Sequence, residues 1–306
     1  MASVTLAESA KLSQDMLLQG VIENTITVNQ MFNVIPFMGI EGNSLAYNRE
    51  NVLGAVEYTG VGDTITTGKD AATFTQETTS LTTIIGDAEV NGLIQATRSN
   101  INDQRAIQIA SKAKSLGRQW QDTFINGDGT SNTFEGLLTL VPAAQKVAPL
   151  TNGQPLSFDI LDELMSLVID KDGQVDYFTM NVRTVNSYMA LLRGLGGAGI
   201  GEVVTLPGGA QVPAYRGVPI FRNDYIPIDQ TQGTETAATT IFAGTFDDGS
   251  GKFGISGLTA ENNAGIVTEE VGISETKDET ITRLKWYTSL ALFNEKGIAS
   301  AAGINN

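Results

Sequence analysis

Few side chains in this sequence are equipped for chemistry. Histidine and cysteine are absent from all 306 residues. Without imidazole or thiolate, Ser-His-Asp and Cys-His catalysis are excluded, no disulfide can form, and the usual zinc and copper ligands are missing. Carboxylates, lysines, tyrosines and hydroxyls remain, which leaves Ser-Lys pairs, carboxylate pairs and magnesium sites open. Gly194-Leu-Gly-Gly-Ala-Gly199 has the GxGxxG spacing of a dinucleotide loop, in which glycines let the backbone approach a pyrophosphate at a helix N-terminus. Here the motif follows a helical pattern, and no helix clearly opens after it, so it reads as a flexible loop. Asp247-Asp-Gly-Ser-Gly-Lys252 is only loosely like a phosphate or calcium loop: phenylalanine stands at 246 and 253, where a phosphate loop needs glycine and a hydroxyl, and the closing glutamate of a calcium loop is missing. It reads as a tight turn, as does Gly127-Asp-Gly-Thr130. The run from Glu269 to Glu279 sets Glu269, Glu270, Glu275, Asp278 and Glu279 against Lys277. It reads as a solvated strand rim, with a contact to basic groups of another subunit, or a divalent cation, as the alternative. No catalytic, cofactor or metal site is expected, and the chain is not expected to be an enzyme.

The composition fits that reading. With 41% hydrophobic residues, the chain can bury a sizeable core in one or two domains. No apolar run is long enough to span a bilayer, so no membrane partner is expected. The first residues lack the basic and apolar regions of a secretory signal, so the protein is expected to stay in the cytoplasm where it is made. A formal net charge of −15 argues against sequence-independent binding to nucleic acid. It suits solubility, and equally a container wall to which DNA should not stick.

Periodicity supplies the elements. Residues 6–19, with Leu6, Leu12 and Met16, read as a short amphipathic helix. The apolar stretch after it loses its period and ends at Pro36 and Gly39, an arm without a core of its own. Residues 43–90 read as a long β-hairpin: threonine suits a pleated surface, and Gly60, Gly62, Asp63, Gly68, Lys69 and Asp70 form a polar tip. Such a ribbon buries little by itself. It either packs on its own domain or gains stability by lying across a neighbouring subunit. Over 98–125, Ile109, Ala113, Leu116, Trp120 and Phe124 recur at helical spacing, with Asn126-Gly127 as the stop and Gly117 marking close packing or a bend. Ser157 and Asn181 are placed to cap two further helices, with a strand between them at 174–180. Later strands are expected around 203–204, 218–222, 241–246, 265–272 and 280–293.

This order, with Leu45-Ala-Tyr-Asn-Arg-Glu50, Thr97-Arg-Ser-Asn-Ile-Asn-Asp-Gln104, Phe124-Ile-Asn-Gly-Asp128, Asp176-Tyr-Phe-Thr-Met-Asn-Val-Arg-Thr184 and Tyr215-Arg-Gly-Val-Pro-Ile220, resembles the major capsid proteins of tailed bacteriophages that share the Hong Kong 97-type fold. The resemblance runs over essentially the whole chain. It implies an α+β fold with an N-terminal arm (1–42), an extended β-hairpin loop (43–90), a peripheral domain with a long spine helix (91–148), an axial domain (149–248) and peripheral strands that return at the C-terminus (249–306). It implies pentamers and hexamers closing an icosahedral shell around double-stranded DNA, assembled in the host cytoplasm and localised to the virion. Partners would be other copies of the chain, a scaffolding protein, a portal and a decoration protein, with DNA enclosed but not bound by sequence. Because the arm begins almost at once after Met1, scaffolding is expected to be a separate protein and not a cleaved prefix.

Candidate subunit-interface residues are Leu6, Leu12 and Met16 in the arm; Tyr47, Arg49, Glu50, Lys69 and Asp70 in the ribbon; Gly194, Gly196 and Gly199 in the loop near a local symmetry axis; and Glu269 and Glu270. Some capsids of this type join a lysine near the loop tip to a neighbour's asparagine, which would draw Lys69 towards Asn262 or Asn263 with Glu261 beside them. A plain ion pair is the expected role of Lys69, because Asp70 favours its charged form. An encapsulin-like nanocompartment and an acidic surface-layer or adhesin protein are the alternative functions.

Overall fold

The structure, a computed structural model, describes residues 31, 34–98, 104–147, 151–170, 173–195, 202–206 and 209–305. The helix expected over 6–19, with Leu6, Leu12 and Met16, lies outside them, as do Gly196 and Gly199. In chain order the main elements are β1 (Phe37–Ile40), β2 (Ser44–Val52), β3 (Thr73–Ser80), β4 (Thr82–Asn91), α1 (Gly92–Arg98), α2 (Gln104–Asn126), α3 (Leu137–Leu140), α4 (Phe158–Ile169), β5 (Tyr177–Met180), α5 (Val182–Gly194), β6 (Glu202–Thr205), β7 (Gln211–Tyr215), β8 (Val218–Arg222), β9 (Gln230–Gln232), β10 (Glu235–Gly244), β11 (Ile255–Ala260), β12 (Val267–Ile273), β13 (Glu279–Leu292) and β14 (Ile298–Ile304). The mixed α+β class is as expected. The chain divides into two compact units, one holding 86–114 and 268–284, the other 29–85, 115–267 and 285–306.

In the larger unit a seven-stranded sheet has the order β14-β10-β5-β8-β7-β6, with β9 also on β10. Its central strands alternate between two buried faces, as a sheet covered on both sides must. Phe178, Met180, Ile220, Ile241 and Ala301 join the helices α4 and α5 in one apolar cluster through Leu161, Leu164, Val168 and Tyr188. Tyr177, Phe221, Phe242 and Ile298 enter a second cluster with Trp120, Phe124, Trp286 and Leu290. Burying each such large side chain contributes about 1.5–3 kcal/mol. Both expected caps are formed: Ser157 Oγ accepts from Ile160 N at 3.3 Å, and Asn181 Oδ1 accepts from Arg183 N at 3.1 Å. Each satisfies a backbone donor that the first helical turn leaves open.

The helix α2 keeps the expected stripe: Leu116, Trp120 and Phe124 are buried. The Trp120 ring stacks on Phe124 at 5.3 Å and on Trp286 at 5.8 Å, and its Nε1 donates to Thr288 Oγ1 at 3.0 Å. Gly127 ends the helix because nothing larger fits. A Cβ there would lie 2.1 Å from the Phe134 carbonyl oxygen and 2.6 Å from that of Thr123. Gly117 differs from expectation: a Cβ there would meet nothing within 4 Å, so close packing is not its reason.

Three expected boundaries shift. Pro36 and Gly39 do not end the arm in a turn; residues 37–40 are a strand, parallel to β11 with Phe37 opposite Gly257. Proline suits the extended entry to an edge strand, and Pro36 O accepts from Gly257 N at 2.9 Å. The Phe37 ring fills the space a Gly257 side chain would need, 2.5 Å from its ideal Cβ. The hairpin closes at Ser80; residues 82–91 form β4, which pairs with β13 in a five-stranded sheet of order β1-β11-β13-β12. The last strand, β14, pairs antiparallel with β10, Ile298 opposite Gly244, which places it in the seven-stranded sheet.

In the smaller unit, Arg283 forks onto Asp87 through two 2.8 Å hydrogen bonds, and Gly92 N donates to Asp278 O at 3.0 Å. The Asp87 carboxyl is held below its ordinary range, first by the Arg283 hydrogen bond.

Candidate functional site

The ribbon formed by β2 and β3 collects most of the expected interface residues. Its strands pair antiparallel from Ser44 opposite Ser80 to Val52 opposite Thr73, with a bulge between Glu50 and Val52. Alternation along β2 explains its root. Leu45, Tyr47 and Arg49 are half-buried on one face, while Ala46, Asn48 and Glu50 are exposed on the other, the period of two that a pleated strand imposes.

Arg49 fastens the root. Its Nε donates to Phe293 O at 3.1 Å, Nη2 to Leu292 O at 2.5 Å, and Nη1 to Glu295 Oε1 at 3.1 Å. Glu77, across the ribbon, is 3.6 Å from Nη1. The guanidinium lies 5.5 Å from the centre of the Tyr47 ring. Tyr47 packs edge-on against Phe293 at 5.3 Å and donates to Leu292 O at 2.9 Å. A planar fork with five donors can serve both carbonyls that end β13 and a carboxylate at once, which an ammonium cannot. Glu50, on the other face, is exposed.

Beyond Val52 and Thr73 the chain leaves the ladder. The tip runs through a 3₁₀ turn at Thr67–Lys69 and holds exposed Leu53, Val56, Tyr58 and Val61. The sequence reading of a polar tip missed this: the glycines and charges of 60–70 drew attention away from the apolar run just before them. Lys69 and Asp70 are exposed, as are Glu261, Asn262 and Asn263.

Gly194 closes α5 and is exposed. Glu270 pairs with Arg105 at 2.9 Å, and Lys277 lies 3.6 Å from Glu279; Glu269 is exposed. The acidic run is therefore partly matched by bases of its own unit, in line with the solvated rim. Among the described residues no cluster of three or more acidic side chains is arranged to hold a metal, and no helix is long and apolar enough to cross a membrane.

Two clefts are notable in the larger unit. One, of 610 Å³, runs beside the ribbon root between Thr78–Thr82 and Gly129–Pro142. The other, of 350 Å³, is lined by Val168, Asp176, Phe246, Phe253 and Lys296 among others. Asp176 there accepts from Phe246 N at 2.9 Å and Gln174 Nε2 at 3.1 Å; burial pushes its carboxyl above the ordinary range despite both. The 127–133 turn is tied by Asp128, whose carboxyl is held down to about 2, first by the Thr130 hydroxyl.

Comparison with known proteins identifies the fold that this arrangement belongs to. No curated protein sequence matches the chain. Solved structures match it end to end at low identity. The SrpI encapsulin of Synechococcus elongatus PCC 7942 superposes with a TM-score of 0.76 at 18% identity, covering 99% of this chain and 97% of that one. The capsid of Cyanophage A-1(L) gives 0.73 at 11%, covering 99% and 100%. The capsid of the native GTA particle gives 0.70 at 13%, covering 100% of both. These likenesses establish the Hong Kong 97-type fold. The Phage capsid family profile matches residues 13–251, more than half of the sequence, and the chain therefore belongs to the phage capsid family, as a shell-forming capsid protein.

Proposed function

We propose that this chain is the major capsid protein of a tailed bacteriophage, whose pentamers and hexamers close an icosahedral shell around double-stranded DNA. The observation that carries this reading is the ribbon. Among the described residues it is fastened to its own subunit at the root, through Arg49 and Tyr47, and it carries an apolar tip that these residues leave exposed. An apolar segment held out in this way is stable only against a partner, and a repeating shell supplies that partner as another copy. The domains of this reading are an arm that ends in β1, the extended loop of β2 and β3 (44–80), peripheral segments from β4 to 148 and from 249 to 297, and an axial segment (149–248) whose sheet is joined by the last strand, β14. The interface residues of this reading are Glu50, Lys69 and Asp70 in the ribbon, Leu6, Leu12 and Met16 in the arm, Gly194, Gly196 and Gly199 near a local axis, and Glu269 and Glu270, while Tyr47 and Arg49 bind within their own subunit. The chain acts as a wall and not as an enzyme. It assembles in the host cytoplasm with scaffolding, portal and decoration proteins and resides in the virion.

An encapsulin-like compartment is the second reading, favoured by the fold likeness to the SrpI encapsulin. Expression of the chain with its assembly partners, followed by negative-stain microscopy and assay of nuclease-protected nucleic acid, separates the two. Closed shells that protect double-stranded DNA are expected. Closed shells that hold protein alone establish the second reading, and a persistent monomer refutes both.

A further inference from the structure

The ribbon tip is shaped by one carboxylate. Glu57 Oε1 accepts from Thr66 N at 2.6 Å. Its Oε2 accepts from Thr67 N at 3.0 Å, Thr67 Oγ1 at 2.6 Å and Thr66 Oγ1 at 3.1 Å. Four donors converge on a single side chain from the opposite limb of the loop. Gly68 allows the approach, since a Cβ there would sit 3.1 Å from Glu57 Cγ and 3.2 Å from Ile65 Cγ2. Two smaller closures complete the loop: Ala55 N donates to Asp70 O at 2.9 Å, and Gly60 N to Asp63 Oδ2 at 2.8 Å. The hydrogen bonds hold the Glu57 carboxyl at about 2, the Thr67 hydroxyl having the largest effect.

The loop so fixed presents apolar side chains outward. Val56, Tyr58 and Val61 are almost fully exposed, and Leu53 largely so. Fixing a loop costs conformational entropy, and nothing within the subunit is gained by holding these groups in water. The charge pattern says which partner fits. From Val52 to Val61 the only charged residue is Glu57, and its carboxylate is taken up inside the loop. The apolar face of this stretch therefore presents no exposed charged side chain, while Asp63, Lys69 and Asp70 follow it in the loop, on a chain of net charge −15. An acidic copy can seat these apolar side chains without meeting a like charge on them, and residues 52–61 themselves offer no cation to a phosphate.

We propose that Glu57 is a positioning residue that pre-organises the ribbon tip, and that Val56, Tyr58 and Val61 on it are the anchor seated in a second copy of this chain. The proposal rests on the assembly reading above and adds where the contact energy concentrates. Pre-organisation lowers the cost of binding, and tyrosine is among the side chains that most often carry the binding energy of an interface.

The test uses the full chain in its assembling form, with three variants. Replacing Tyr58 by p-benzoylphenylalanine and irradiating assembled particles is expected to give a chain-to-chain adduct of twice the subunit mass on a denaturing gel. Tyr58→Ser is expected to raise the threshold concentration for assembly about tenfold or more while leaving amide exchange at Thr66 and Thr67 unchanged. Glu57→Gln is expected to raise both the threshold and the exchange at Thr66 and Thr67, with the unfolding midpoint of the whole chain unmoved. Adducts to packaged nucleic acid, or none between chains, overturn the assignment of a second copy. Normal exchange in Glu57→Gln overturns the positioning role. Wild-type chain that never assembles refutes the function reading itself, and normal assembly of Tyr58→Ser refutes only the anchor.

Discussion

Replacing Arg49 by lysine tests whether the ribbon is held at its root by hydrogen-bond geometry or by charge alone. The Arg49 side chain is 17% exposed, and its partner Glu295 is 58% exposed. The Glu295 contact is thus largely screened and adds little. The two bonds to the Phe293 and Leu292 carbonyls are shielded and charge-assisted. Bonds of that kind contribute about 1.5–3 kcal/mol each. An ammonium keeps the charge but reaches only one carbonyl well, so the expected loss is about 2 kcal/mol. The loss should fall on local opening of the ribbon and leave the core intact, because Arg49 meets the core through the backbone carbonyls of Leu292 and Phe293 at the end of β13, which stay in place when the guanidinium is lost. Hydrogen exchange followed by mass spectrometry reads this directly: protection in 44–52 and 73–80 should fall about thirty-fold, since 1.4 kcal/mol is a factor of ten. Unchanged protection in Arg49→Lys would show that the fork is dispensable. An equal loss across the seven-stranded sheet would show that Arg49 supports the whole unit and not the ribbon.

Thr288→Val leaves the indole N–H of fully buried Trp120 without its 3.0 Å acceptor. Urea unfolding should show a loss of about 1–3 kcal/mol, and Trp120→Ala, which also empties the stack with Phe124 and Trp286, a loss of about 3–5 kcal/mol. Asp176 gives a pH signature. Burial raises its carboxyl above the ordinary 3.8, so the folded state binds the proton more tightly than the unfolded one. Stability from this group is therefore greatest in acid and declines as pH rises from 3.8 through the raised value; thermal unfolding across that range should show this slope, and Asp176→Asn should abolish it. Removing the cap in Ser157→Ala should cost about 1 kcal/mol by the same urea assay. The free subunit, at net charge −15, should show no sub-micromolar binding to DNA at physiological salt; tight binding with a steep salt slope would reveal a basic face.

Local chemistry made much of this protein legible in its sequence. The missing histidine and cysteine excluded whole classes of enzyme before any fold was known, because those reactions need an imidazole or a thiolate. Ser157 and Asn181 announced their helices since a cap is satisfied within three residues of itself, and the Leu116-Trp120-Phe124 stripe announced its helix by spacing alone. The threonines of 43–90 and the glycines at 60, 62 and 68 likewise marked a hairpin. Other features depend on partners far away in the chain, and only the tertiary structure decided them. Residues 37–40 became a strand because Phe37 covers Gly257, 220 residues later. The hairpin stopped at Ser80 because residues 82–91 pair with β13. Residues 298–304 joined the seven-stranded sheet by pairing with β10. Arg49 stood in the sequence as one charge among many; its role came from the carbonyls at 292 and 293. Glu57, between Val56 and Tyr58, carries no periodic signal, and its meaning depends on a loop that brings Thr66 and Thr67 back to it. Short-range hydrogen bonding and side-chain periodicity are written in neighbouring residues, whereas strand partners and carboxylate cages are fixed only when the whole chain closes.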